Sequence, residues 1–264
     1  MPTQPPFSEI LKFLGHASPT SRTHFLPGQT RVSAIAVTSL DGRGAMEGTS
    51  GGLGNTMDAE IFNTHRALSD VVFAGSGTIA AEEYGPVEIT DSQMEVRQEQ
   101  GRREHVVMAT LSRSLDIDPS LPFFSAANDL SPEPIIFTAE ISNVAKDDRE
   151  RFCERRKALV QAGANVVPLI EPSVYAALGE LGARGYCDIS FEGGPTMYAE
   201  ALRLDCVDEL LLTVSPFWVG AGPTTFGQAP AADDKKRKVR PREFTLADAL
   251  IDDSHTFLRY FRQR

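Results

Sequence analysis

The chain has 264 residues, 41% of them hydrophobic and 23% charged, with a formal net charge of −10 and a pI near 5.0. That length suits one large domain or two small ones, and the acidic balance argues against a general nucleic-acid binder, which needs a basic surface to displace counterions. Three widely spaced cysteines, Cys153, Cys187 and Cys206, point to free thiols in a reducing cytoplasm rather than to a disulfide framework or a zinc site, and no apolar run of about 18 residues is available to cross a membrane.

Residues 1–30 are rich in Pro, Ser and Thr and lack the basic segment and apolar core of a signal peptide. Phe7, Ile10, Leu11, Phe13 and Leu14 fall at helical spacing, so a short lead-in helix is expected, packed on the main domain or on a partner subunit. From Arg31 to Ser39 the run Val32, Ala34, Ile35, Ala36, Val37 predicts a strand buried on both faces. It ends at Asp41-Gly42, which places a carboxylate where α/β sheets bind ligands, although Asp-Gly is more commonly an ordinary turn. Residues 44–54 hold five glycines and read as a mobile loop that lacks the Gly-Lys-Ser/Thr ending of a P-loop. Asn55 or Thr56 caps the next helix, which runs to about Leu68 and carries Ile61, His65 and Leu68 on one face. His65 reads as a packed or surface residue rather than a catalyst.

Asp70 to Ala74 predicts a second buried strand, which runs into Gly75-Ser76-Gly77-Thr78 and the start of a helical turn. Ile89 to Arg103 is polar and charged, a surface helix or loop. His105 to Ala109 predicts a third strand, followed by Thr110-Leu111-Ser112-Arg113-Ser114. Hydroxyls around an arginine at a strand end suit a phosphate monoester, while the stretch alone reads as a solvated loop. Asp116 to Pro134 is a loop and Ile135 to Thr138 a fourth strand. Asp147 to Gly163 is an amphipathic helix with Phe152, Leu159 and Val160 inward. Asn165 to Leu169 is a fifth strand, and the helix from Ser173 to Arg184 stops at Gly185.

The stretch from Cys187 to Tyr198 has the most specific pattern: a strand through Ile189 and Phe191, then Glu192-Gly193-Gly194, then Pro195-Thr196 opening a helix to Leu204. The glycines allow a sharp turn and a close approach, and free N–H groups at a helix start suit a pyrophosphate. Glu192 there can equally bond turn N–H groups. Two strand–glycine–helix joints in one chain raise the case for a dinucleotide, yet the Rossmann fingerprint, with an acid about twenty residues on, is missing after the first strand. Val207 to Ser215 is a strand, and residues 227–242, with the basic run Lys235 to Arg240, a solvated loop. Phe244 to Leu250 and Thr256 to Arg262 form a closing hairpin. The expected architecture is a three-layer α/β/α fold with a mixed, mostly parallel sheet and a C-terminal antiparallel hairpin. One domain covers 31–264, preceded by the lead-in 1–30.

These motifs in this order resemble the RibD C-terminal family of riboflavin-biosynthesis pyrimidine reductases, a family with a dihydrofolate-reductase-like fold. The resemblance rests on Ser39-Leu40-Asp41-Gly42, His65-Arg66-Ala67 with Asp70, Gly75-Ser76-Gly77-Thr78, Glu192-Gly193-Gly194-Pro195-Thr196, Val207-Asp208-Glu209-Leu210, and Ser215-Pro216 with Gly220-Ala221-Gly222. It implies an NADPH-dependent oxidoreductase that reduces the ribose of a phosphoribosylamino-pyrimidine. By the resemblance, Gly75, Gly77, Thr78, Gly193, Gly194 and Thr196 hold the cofactor's pyrophosphate and nicotinamide side, next to Glu192. Thr110, Ser112 and Arg113 sit at its 2′-phosphate, and Asp41 and Glu82 are the candidate acids that protonate the hydride acceptor. A cytoplasmic homodimer with a small-molecule substrate, and no metal, nucleic acid or membrane partner, is implied as well. The chain departs from the pattern where Asp58-Ala59-Glu60 stands in place of an arginine for the substrate phosphate: an acidic neighbourhood repels a phosphate. It also carries Glu83-Tyr84-Gly85-Pro86 in place of the usual Asp-Asn-Pro, and no zinc-deaminase motif. Another heterocycle such as dihydrofolate, or a non-catalytic nucleotide-binding role, remains open on the residues.

Overall fold

Strand β1 (Arg31–Thr38) is buried over its first five residues and has parallel neighbours on both sides, which is why its sequence is a continuous apolar run rather than an alternation. In the computed structural model, which describes residues 6–16, 30–125, 132–227 and 241–263, it lies within a nine-stranded sheet. The other strands are β2 (Val71–Gly75), β3 (Val107–Leu111), β4 (Ile135–Ala139), β5 (Asn165–Leu169), β6 (Asp188–Gly193), β7 (Glu209–Val214), β8 (Phe244–Asp252) and β9 (His255–Arg262). Their order is β5-β4-β3-β2-β6-β1-β7-β9-β8. All neighbours from β5 to β7 are parallel, and β9 and β8 close the edge as an antiparallel hairpin. The mixed, mostly parallel sheet expected from the sequence is the one the chain forms.

Successive residues of a strand point to opposite faces, and β2 shows the consequence. Val71 and Phe73 join one cluster with α6 (Val174–Ala183) and α7 (Pro195–Arg203), through Val174, Leu181, Met197 and Ala201. Val72 and Ala74 join a second with α3 (Ser76–Ala81) and α5 (Arg149–Gln161), through Ile79, Phe152 and Leu159. On that same face, α1 (Phe7–Phe13) and α2 (Thr56–Ala67) bury Ile10, Phe13, Met57 and Ile61 against Ile35, Leu211 and Phe257. The expected lead-in helix is therefore a packed part of this layer. Edge-to-face rings link Phe137, Phe73, Phe191, Tyr198 and Phe226 in series through the first cluster.

Three expectations change. Residues 89–103 are not merely a surface segment: α4 (Asp91–Glu99) starts at a Thr90–Gln93 capping box, and Arg97 on it is fully buried. Arg97 donates to the carbonyls of Ala67, Ser69 and Arg103, so it ties the end of α2 and the entry to β3 together. Val160 is 49% exposed rather than inward; the inward face of α5 is carried by Phe152 and Leu159. The third strand lies two residues later than expected, because its ladder with β2 runs from Val71 opposite Val107 to Gly75 opposite Leu111. Thr110 is thus a strand residue. The basic run Lys235 to Arg240 lies outside the described residues.

Candidate active site

The carboxyl ends of β1, β2 and β6 open into a cavity of about 900 Å³, within the size range of ligand sites, roughly 300–1,000 Å³. Two glycine joints form its floor. Gly75 ends β2 and leads into α3; Gly193 ends β6 and leads through Gly194 into α7, with Pro195 at the first helical position. The joints touch: a methyl group on Gly75 would lie 2.7 Å from the Gly193 carbonyl oxygen, so glycine is what lets the two turns meet. Gly194 turns with φ +100°, beside the Thr78 hydroxyl. Gly75, Gly77, Thr78, Glu192, Gly194 and Thr196 all line the cavity. Gly193 lies just behind them, against the Tyr198 ring. Nothing lies within 4 Å of where a side chain on Gly77 would sit, so the backbone there faces open space wide enough for a ligand.

Glu192 is buried and falls at a register shift in the β2–β6 ladder, where Phe73 pairs Phe191 but Ala74 pairs Gly193. Such a bulge re-aims a side chain. Here it sends the carboxylate onto Arg66 of α2, which donates from Nε at 2.8 Å and from a terminal nitrogen at 2.5 Å; Ser190 Oγ donates at 3.0 Å. The guanidinium is stacked between Phe62 and Tyr84, 4.0 and 4.1 Å from the ring centroids. Burial disfavours the Arg66 cation, but the Glu192 charge and hydrogen bond outweigh it and hold the guanidinium above its ordinary range. Burial and the same negative charge push the Tyr84 phenol up, so it stays protonated. Glu192 is therefore a clamp at the turn, holding α2 to the end of β6.

Of the two acids expected to donate a proton, Glu82 lines the cavity. Its Oε1 accepts the backbone N–H of Ser50 at 2.7 Å, so it also anchors the glycine-rich segment 44–54, which includes a one-turn helix at Gly51–Leu53. Asp41 does not line it. Its carboxylate accepts Ser39 Oγ at 2.6 Å and the N–H groups of Gly220 and Val219 at 2.8 and 3.1 Å, with Arg43 at 3.5 Å. The Ser39 hydrogen bond, and then the two backbone N–H bonds, hold it below the usual carboxylate range despite its burial. Held by these donors and outside the lining, Asp41 ties two loops together, and the structure brings Glu82 rather than Asp41 to the cavity wall.

Thr110, Ser112 and Arg113 also lie outside the cavity lining. Thr110 is fully buried and Ser112 nearly so, and Arg113 donates to Pro172 O at 2.9 Å and to Glu200 at 3.2 Å. Their segment does leave the sheet beside the Gly75 joint, since Leu111 pairs with Gly75.

One residue of the cavity wall was read from sequence only as part of an acidic neighbourhood. Asp58, in the first turn of α2, lines the cavity. The Asn55 side chain accepts its N–H at 2.9 Å and fixes the helix start. Its carboxyl is hydrogen-bonded by Thr213 at the end of β7; burial raises it above the usual range, against the lowering by Thr213 and by the charge of His255. The signal available in the sequence was its place directly after the Asn55 cap, on the turn of α2 that leads into the face carrying Ile61.

The model of the RibD C-terminal domain family matches residues 31–248. No curated protein sequence matches the chain. Among solved structures, a pyrimidine reductase-like protein from Corynebacterium diphtheriae superposes with a TM-score of 0.80 at 29% identity, over 97% of this chain and 98% of that one. RibD from Acinetobacter baumannii gives 0.67 at 18% identity, over 97% of this chain and 63% of that one. The Thermotoga maritima diaminohydroxyphosphoribosylaminopyrimidine deaminase/5-amino-6-(5-phosphoribosylamino)uracil reductase gives 0.61 at 18%, over 97% and 62%. The likeness to the last two is one of fold, and the chain spans less than two thirds of their length.

Proposed function

The chain belongs to the RibD C-terminal domain family, and from that premise we propose that it is an NADPH-dependent reductase of an aminopyrimidine-type heterocycle, working in the cavity over the two glycine joints. The observation that carries this reading is the meeting of Gly75 and Gly193 at the cavity floor, with Gly77 facing open space beside them. The corynebacterial relative is described as pyrimidine reductase-like and the Thermotoga protein as a reductase of a phosphoribosylamino-uracil; the pyrimidine part of that description is what we carry over.

The residues present fit the cofactor. Gly75, Gly77, Thr78, Gly194 and Thr196 would hold it at the floor through backbone groups and two hydroxyls, with Gly193 and the Glu192–Arg66 clamp keeping the turn in shape. Bound NADPH supplies a hydride. The acceptor gains negative charge unless a proton arrives, and Glu82, on the cavity wall, is the acid we assign to that task. Arg113, with Ser112 and Thr110, is the group we assign to the 2′-phosphate; its side chain is 56% exposed and donates to Glu200, which is held at the start of α6 by the Val174 N–H. A homodimer in the cytoplasm, as the resemblance implies, completes the proposal. Among the described residues no helix is long and apolar enough to cross a membrane.

Calorimetric titration with NADPH and NADH tests the reading. We expect micromolar NADPH binding, much weaker NADH binding, and loss of that preference in Arg113→Ala. Folded protein that binds neither nucleotide would sink it.

A further inference from the structure

We propose that His255 is a positioning residue for the cavity and that it acts as an imidazolium: it latches the glycine-rich wall at 44–54 to the turn between β8 and β9, and the latch opens when the ring loses a proton. The inference rests on the reductase reading only for the use of the cavity; its evidence is the count of donors and acceptors around one buried ring.

His255 opens β9 and is 5% exposed. Its Nε2 stands 3.0 Å from the Leu53 carbonyl oxygen, and its Nδ1 3.0 Å from the Asp253 carbonyl oxygen. A carbonyl oxygen only accepts, and a neutral imidazole has one N–H and one bare nitrogen. In either neutral tautomer one ring nitrogen would turn its lone pair on a carbonyl, a buried mismatch that costs free energy. The imidazolium carries an N–H at both positions and satisfies both oxygens. The charged groups around it suit a cation. Asp58 faces it from the first turn of α2; burial raises that carboxyl, against the hydrogen bond of Thr213 and the charge of His255. Asp252 lies on its own turn, bonded by Asn55 Nδ2 at 3.0 Å, and Asp253 on that turn is exposed. In β7, on the other side of β9, the charged residue is Glu209, at the far end of the ladder opposite Phe261. In α1, Glu9 and Lys12 are exposed. The Phe257 ring lies nearly parallel to the imidazole, 18° apart in plane and 6.4 Å between centroids.

The turn brings the two carbonyls to one ring. β8 and β9 pair as far as Asp252 opposite His255, so Asp253 and Ser254 alone make the turn, both left-handed, with φ +42° and +64°. Two left-handed residues match the twist of a tight hairpin, and this turn holds the Asp253 carbonyl against the ring two residues on. On the other side Leu53 is fully buried and ends the one-turn helix Gly51–Leu53. Ser50, Gly51 and Gly54, around it in sequence, line the cavity. Gly48 and Gly51 have nothing within 4 Å of where a side chain would sit, so they add little that could hold the wall. Its second half is held by the Ser50 N–H on Glu82, the Leu53 carbonyl on His255 and the Asn55 amide on Asp252. His255 therefore acts on the cavity through Leu53. It lies beyond residues 31–248, the stretch matched by the family model.

Imidazole nitrogen NMR and native-state hydrogen exchange test the latch between about pH 5.5 and about pH 8.5, which spans the range where imidazoles change charge. We expect both ring nitrogens of His255 to carry protons at the lower pH. Protection factors, taken against unstructured chain at the same pH, should fall about fivefold or more in residues 51–56 at the upper pH. His255→Gln, whose amide donates without titrating, should protect that stretch equally at both pH values, and native protection in β1 and β6 shows that the variant is folded. NADPH should bind more weakly at the upper pH, and by a smaller factor in the variant. A bare ring nitrogen at the lower pH, equal protection of 51–56 in the native chain at both pH values, or an unchanged pH dependence in His255→Gln would each overturn the proposal. So would NADPH binding with the same pH profile in both proteins. The expected exchange pattern in protein that takes no NADPH at either pH removes the reductase assignment and leaves the latch.

Discussion

Replacing Glu192 by glutamine changes one oxygen for an amide and leaves the volume alone. It tests whether the joint at the end of β6 is held by the ion pair. Glu192 has a side-chain exposure of 1% and Arg66 of 14%, so both ions have left water and the pair is bidentate. Removing one partner of such a pair costs about 3–5 kcal/mol, because the other is left charged in a poorly hydrated place. At about 2 °C per kcal/mol for a chain of this size, that is a fall in Tm of roughly 6–10 °C. Thermal and urea denaturation followed by circular dichroism would measure it. Arg66→Met on the Glu192→Gln background should cost little more, since the pair acts as a unit; additive losses would show two independent contributions. Because Glu192 directly precedes Gly193 and Gly194, the single variant should also bind NADPH more weakly at temperatures where it is folded. A loss below about 1 kcal/mol would refute the reasoning, since that is the worth of a solvated surface pair.

Gly75→Ala puts a methyl group 2.7 Å from the Gly193 carbonyl and 3.2 Å from Met197 Sδ. Backbone on one side cannot give way as a side chain would, so a cost of about 1–3 kcal/mol is expected, read as a lower urea midpoint at unchanged m, together with weaker NADPH binding; an unchanged midpoint would mean that the joints slide apart freely. The pH limb of stability is set in part by His65, which burial, first among its causes, lowers to about 4. The folded chain holds it neutral while the unfolded chain protonates it near 6.5, so its contribution is complete above pH 6.5 and is lost as pH falls towards 4, up to about 3 kcal/mol. His16, also lowered by burial, acts in the same direction, and the raised carboxyl of Asp58 in the opposite one. Denaturant midpoints between pH 7 and 4 should fall for the native chain and fall less for His65→Gln; parallel curves would show that His65 is not responsible.

The alternation of strands and helices was legible because the central strands are buried on both faces, so that Val71-Val72-Phe73-Ala74 carries the signal without help from its neighbours. The glycine joints were legible for a related reason: the close approach of Gly75 to Gly193 excludes any side chain, and the sequence records that exclusion as glycine at both ends. The insertion of β6 between β2 and β1 was not legible, since it is decided by pairings between distant parts of the chain. Arg97 escaped in the same way. A charged residue in a charged stretch reads as surface, and only the folded chain brings the carbonyls of Ala67, Ser69 and Arg103 around one guanidinium. The two-residue shift of β3, which buried Thr110, is again set by the ladder with β2 rather than by local propensity.

The carboxylates show where sequence reading stops and geometry must take over. Asp41, Glu192 and Asp58 each stand at the end of a strand or the start of a helix, where any of them can be argued to act on a ligand. What separates them is the donors within reach. Asp41 has a hydroxyl and two backbone N–H groups from residues nearly 180 positions away and is satisfied by the chain itself. Glu192 has a guanidinium and a hydroxyl, brought to it by a bulge, and is satisfied by its clamp. Asp58 has the hydroxyl of Thr213, a bare glycine against it and the cavity in front. A half-buried acceptor with few donors of its own chain can take a donor that the cavity admits. On that ground Asp41 is read as holding the loops in place and Glu192 as holding the turn, while Glu82 and Asp58 are the acids that the cavity wall presents.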